Sequence, residues 1–93
     1  MSDSSAGRAV WDLKRSHITV LLSLLRGRKL LLADIKRALR SSDHYWVLSV
    51  MEYLKDLDLV REERIGRFRV YTLTAKGERL ARELERLARM IRE

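Results

Sequence analysis

Apolar residues recur at helical spacing along most of this chain and at alternating spacing in one stretch near its middle. Val10, Leu13 and His17, then Ile18, Leu21, Leu22 and Leu25, step by three and four positions. They predict a first helix. It starts either at His17, behind a Ser16 cap, or near Ala9. Gly27 reads as its C-cap, and Arg26, Arg28 and Lys29 suit the negative helix end. Leu30 to Leu32 is a short apolar run leading to a second helix over Asp34, Ile35, Ala38 and Leu39. Arg40-Ser41-Ser42-Asp43 reads as a turn, with Asp43 as the N-cap of a third helix from about His44 to Leu57. The third helix has a predicted buried arc of Val47, Val50, Met51, Leu54 and Leu57. The opposite arc is Tyr45, Ser49, Glu52 and Asp56, with Tyr53 at its edge.

After Asp58 the period changes. Leu59 to Arg64 and Arg67 to Leu73 alternate β-branched, aromatic and charged residues around Ile65-Gly66, a hairpin signal. Thr74 then caps a last helix running to Arg92, with Leu80, Leu84, Leu87 and Ile91 on one stripe. The expected fold is mainly α with a small β-hairpin: a winged helix-turn-helix with a long C-terminal helix. Residues 1–8 read as a flexible N-terminus, 9–76 as the winged domain and 77–93 as the C-terminal helix, serving dimerisation.

Composition removes whole classes of function. The 93 residues contain no cysteine, which excludes disulfides, thiol chemistry and Cys-based zinc sites. The two histidines fall in different elements, and the four glycines are isolated. No nucleophile stands beside a base, and no metal cluster or phosphate loop appears. The expectation is a non-enzyme with no cofactor and no metal. The first residues hold no apolar signal region, and Ile18 to Leu25 is far short of a membrane span. A soluble, cytoplasmic protein without membrane contact is expected. Asparagine and glutamine are also absent, and arginine outnumbers lysine 15 to 5. Either a high-temperature habitat or a GC-rich genome gives that pattern, and the joint loss of three labile residue types favours the thermophile.

The net charge of +7 is unevenly spread. Residues 26–40 hold Arg26, Arg28, Lys29, Lys36, Arg37 and Arg40 against Asp34 alone. Residues 41–58 reverse the sign, with Asp43, Glu52, Asp56 and Asp58 against Lys55. The hairpin is basic again. Clustered cations concentrate a polyanion, and nucleic acid is the default partner.

The chain resembles the winged helix-turn-helix regulators of the PadR, MarR and ArsR type, common in archaea and bacteria. The resemblance spans about Ile18 to Leu84. It rests on Met51-x-x-Leu54-x-x-Leu57-x-Leu59-Val60-Arg61-Glu62 and on Tyr71-Thr72-Leu73-Thr74-Ala75-Lys76-Gly77. In the second run Tyr71 and Leu73 share a strand face, Thr74 caps, and Gly77 permits a close helix approach. The resemblance implies that the third helix is the recognition helix and Arg64 to Phe68 the wing tip. Departures exist. Where such regulators often have glycine after the second helix and before Leu59, this chain has Arg40 or Ser41, and Asp58. Ser42 replaces the usual apolar turn residue, and the third helix has one lysine and no arginine.

The candidate DNA-contacting residues are Lys36, Arg37, Arg40, Ser42, His44, Tyr45, Ser49, Tyr53, Arg64, Arg67 and Arg69. Without Asn or Gln, side-chain amides cannot read adenine, and no arginine lies on the exposed arc of the third helix. Binding of double-stranded DNA through phosphates and shape follows, with modest or no sequence specificity. The rival reading is a protein-interaction module in a transcription, replication or DNA-processing assembly, with a protein partner at Tyr45, Trp46 and Tyr53. Trp46 lies close in angle to Val50 and Leu57, and is expected in a core or an interface. Leu80, Leu84, Leu87 and Ile91 are expected to form a homodimer interface, the alternative being that the last helix folds back on the first.

Overall fold

The computed structural model describes residues 12–92. The expectations for residues 1–8 and for Val10 lie outside them. The described elements are α1 (Arg15–Gly27), β1 (Lys29–Leu31), α2 (Leu32–Leu39), α3 (His44–Asp56), β2 (Val60–Ile65), β3 (Phe68–Leu73) and α4 (Ala75–Arg92).

α1 is capped from within, not by Ser16. The Lys14 backbone N–H donates to His17 Nδ1 at 3.0 Å, so the helix starts at Arg15. At the other end Gly27 is still helical, and the positive φ of 71° falls on Arg28. A Cβ at Gly27 would lie 2.7 Å from Leu30 Cδ2, the mobile end of a side chain that can move aside. The run after it is a strand. β1 pairs with β3, which pairs with β2, both antiparallel, giving the order β1-β3-β2. Three residues are too few to show a period, so the sheet gains a strand that the expected hairpin lacked.

α2 is capped by Asp34, whose Oδ2 accepts the Leu31 N–H at 2.9 Å. Asp43 Oδ1 accepts the Trp46 N–H at 3.1 Å and opens α3 as expected. The two places where glycine was missing are both left-handed. Arg40 ends α2 at φ 54°, and Asp58 follows α3 at φ 60°. The helix-turn-helix keeps its geometry with non-glycine residues held in left-handed backbone. Ile65 belongs to β2, paired with Phe68, so the hairpin turn is Gly66-Arg67. Gly66 supplies the positive φ of 61° that the first central position requires.

The core joins every layer. Val20, Leu21 and Leu24 of α1 meet Ile35 of α2, then Val47, Val50, Met51 and Leu54 of α3. Leu59, Val60, Tyr71 and Ala81 close it. Burial of each of these side chains larger than Ala81 stabilises by about 1.5–3 kcal/mol, opposed by the loss of chain entropy. The Tyr71 ring is fully buried, and its hydroxyl lacks a well-formed hydrogen bond. Burial first, then the Glu62 charge, pushes that phenol above its ordinary pKa.

The hairpin root is tightly made. Thr74 Oγ1 accepts the Gly77 N–H at 2.9 Å and donates to the Asp58 carbonyl at 2.6 Å. Gly77 then passes so near the preceding loop that a Cβ would sit 1.9 Å from the Leu59 carbonyl oxygen. From there α4 runs along α1, and Leu80 and Leu84 pack on the core of this same chain. Leu87, Met90 and Ile91 stay exposed, Ile91 at 86%. Among the described residues no helix is long and apolar enough to cross a membrane.

Candidate nucleic-acid interface

α3 presents its first turn to solvent between two grooves. One groove is lined by His44, by Leu31, Leu32 and Ala33 at the start of α2, and by Arg64, Arg67, Phe68 and Arg69 of the hairpin. The other is lined by Trp46, by Ala38, Leu39 and Arg40 at the end of α2, and by Arg15, Ser16 and Thr19 of α1. Consecutive helical residues are turned by about 100°. His44 and Trp46 therefore flank Tyr45, which is 81% exposed. The result is an exposed aromatic turn with arginines on both sides. Trp46 is not a core residue: it is 41% exposed, because the buried arc centres on Val47, Val50, Met51 and Leu54.

The other candidates are less uniform. Ser49 is exposed on the same helix and donates its hydroxyl to the Trp46 carbonyl at 2.6 Å, which leaves oxygen lone pairs facing water. Ser42 is exposed in the turn. Tyr53 is turned inward, stacked on His17 with ring centroids 4.4 Å apart. Burial, with Lys14 adding to it, lowers the His17 pKa, so the imidazole in this stack is neutral at pH 7. Lys36 and Arg37 lie on α2 outside both grooves, and Arg37 is ion-paired to Asp34 one turn before it. Among the described residues Lys36, Arg40 and Arg67 make no ion pair.

The wing arginines are not equivalent. Glu62, with its side chain only 9% exposed, accepts from Arg69 Nη1 at 2.9 Å and from Lys55 Nζ at 2.6 Å. Arg64 Nε lies 3.8 Å from the same carboxylate. Burial pushes the Glu62 carboxyl up, but Lys55 and Arg69 outweigh it and hold it below the ordinary carboxylate range. Lys55, bonded to Glu62 and then to Glu52, is raised above its usual value. This cluster ties α3 to the hairpin and consumes one arginine and one lysine. Sequence reasoning missed Glu62, because cross-element pairing leaves no periodic trace. It also missed Arg15, whose place in the Trp46 groove depends on how α1 packs.

No protein-family model matches the chain, and no curated protein does. Solved structures match well. BpsR of Bordetella bronchiseptica, described with regulation of its DNA binding by 6-hydroxynicotinic acid, superposes with a TM-score of 0.77 at 26% identity. The match covers 90% of this chain and 65% of that one. AF1382 of Archaeoglobus fulgidus gives 0.74 at 20% identity, over 87% of this chain and 92% of that one. MarR of E. coli, in a complex with operator DNA, gives 0.72 at 18% identity, over 83% and 56% of the two chains. The fold is a winged helix-turn-helix. α2 and α3 form its helix-turn-helix, and the β2–β3 hairpin is its wing. The chain spans 51% of the length of a ZitR chain from Lactococcus lactis and 65% of that of BpsR. Among the described residues, no group of three His, Cys, Asp or Glu side chains could hold a metal ion.

Proposed function

We propose that this winged-helix protein binds double-stranded DNA as a small dimeric transcriptional regulator with little or modest sequence specificity. One observation carries the reading. The exposed first turn of α3 lies between two arginine-lined grooves, so the aromatic rod and the cations of wing and α2 address a single surface. A duplex laid against Tyr45 would meet Arg40 and Arg15 on one flank and Arg64 and Arg67 on the other. Glu52 and Asp56 continue the exposed arc of Tyr45 and Ser49 toward the far end of α3, so the proposed contact is confined to its first turns. BpsR, whose DNA binding is regulated by 6-hydroxynicotinic acid, and MarR, seen in a complex with operator DNA, support the same use of the fold. Leu87 and Ile91 on the exposed end of α4, rather than Leu80 and Leu84, carry the proposed dimer contact. Absence of Asn, Gln and Cys supports a high-temperature cytoplasm as its setting.

The protein-docking alternative is favoured by Tyr45, a large ring 81% exposed with acidic residues further along its helix. Titration of a mixed-sequence duplex at several salt concentrations separates the two. DNA binding gives a log–log slope equivalent to several released counterions, reduced in an Arg64→Ala, Arg67→Ala double variant. Absence of binding at low salt would overturn the DNA reading in favour of protein docking. Selection of bound genomic fragments then tells a consensus from diffuse enrichment.

A further inference from the structure

The outer face of the sheet carries apolar residues that the core does not use. Val70 is 6% exposed yet stands apart from the core cluster. Leu31 opposes it on β1, and Phe68 lies two positions before it on the same face of β3. Ile65 faces Phe68 across the hairpin as the last pair before the Gly66-Arg67 turn. The strip becomes more exposed toward the tip: Leu31 37%, Ile65 50%, Phe68 56%. β1 pairs only with Val70, Tyr71 and Thr72, so β3 has an open edge at Phe68 and Arg69. An isoleucine and a phenylalanine at the end of a projecting hairpin are costly to hydrate unless something covers them.

We propose, on the basis of the DNA reading above, that Ile65 and Phe68 form an apolar wedge. It enters the minor groove of the bound duplex, partly unstacks a base step and bends the DNA. One observation selects this occupant. Arg67 stands within the turn next to Phe68, and Arg64 and Arg69 line the same groove as Phe68, so cations that suit phosphates lie beside the apolar tip, with Glu63 further back on its outer face. Apolar side chains inserted between base pairs are a general means of kinking duplexes. A protein with this wedge shapes DNA as well as occupying it, without needing a particular sequence.

Ligase-catalysed circularisation of mixed-sequence fragments of about 120 bp, shorter than the persistence length of roughly 150 bp, reads the bend directly. The wild-type protein at saturation raises the yield of circles at least tenfold. Ile65→Ala and Phe68→Ala each reduce that gain, and the double variant removes it. Phe68→Leu retains most of it. Because no cation is removed, the salt slope of binding stays the same in these variants while affinity falls about five- to tenfold. Circular dichroism checks that the exposed substitutions leave the fold intact. Wild-type protein that binds the duplex without promoting circles overturns the wedge alone. So does a folded double variant that bends as well as wild type. Failure of wild-type protein to bind the duplex at low salt overturns the DNA reading itself, and the wedge with it.

Discussion

The two ends of the β2–β3 hairpin are built by opposite rules. At the root, Thr74 bridges Asp58 and Gly77, and the α4 backbone presses on the Leu59 carbonyl with no room for a methyl group. At the tip, the turn glycine has nothing within 4 Å of where its Cβ would be, and the flanking Ile65 and Phe68 are half exposed. Glu62 lies between, binding side chains of β3 and α3. The root spends its residues on a fixed exit angle for the hairpin. The tip is free of that duty, and its residue types answer to whatever it touches.

The largest expected effect is at the root. Gly77→Ala should cost about 3 kcal/mol, although alanine is the better helix former, because backbone must move to admit the Cβ. Thermal unfolding should fall by more than about 10 °C; an unchanged midpoint would remove the close approach from the account. Next comes the middle. Glu62→Gln should destabilise by about 1–2 kcal/mol through weakened charged hydrogen bonds, yet raise duplex affinity severalfold by releasing Arg69 into the wing groove. Movement of both quantities in the same direction would deny Glu62 its restraining role.

A third test asks whether α3 is equally fixed where Tyr53 stacks on His17 of α1. The His17 pKa is lowered in the fold. Its contribution to stability is therefore present above the unfolded value of about 6.5. It is lost as pH falls through the lower folded value, because the unfolded chain binds the proton first. Denaturant titrations from pH 7.5 to 5 should show this loss in the wild type and less of it in His17→Gln. A curve identical in both would exclude His17 as its source. The smallest effect returns to the root. Asp58→Gly should stabilise by about 0.5 kcal/mol, the left-handed penalty outweighing glycine's greater freedom in the unfolded chain. A loss of stability would mean that the Asp58 side chain contributes more than its backbone strain costs.

Much of this was legible in the residues themselves. α3 declared itself through Val47, Val50, Met51 and Leu54, and its cap through Asp43, since burial and capping are local patterns. The root was legible too, because Thr74 and Gly77 have tasks that few other residues perform. What escaped depends on packing. β1 exists only because β3 lies beside it. His17 displaced Ser16 as the cap of α1 because its ring turns back to Lys14. The leucine stripe of α4 gave no sign of where it divides between this chain's own core and solvent. Within the candidate site, the types and positions of the arginines were visible, but not the carboxylate that occupies Arg69. Nor was the outer apolar strip visible, since alternation marks two faces without saying which is wet.

α4 is one unbroken helix of 18 residues, roughly 27 Å from end to end at about 1.5 Å per residue. Its near end is pinned at a glycine without slack, while its far end carries bare leucine, methionine and isoleucine. It is a stiff lever with its fulcrum under the wing. Anything that grips the distal turns acquires mechanical purchase on the angle at which the hairpin leaves the body.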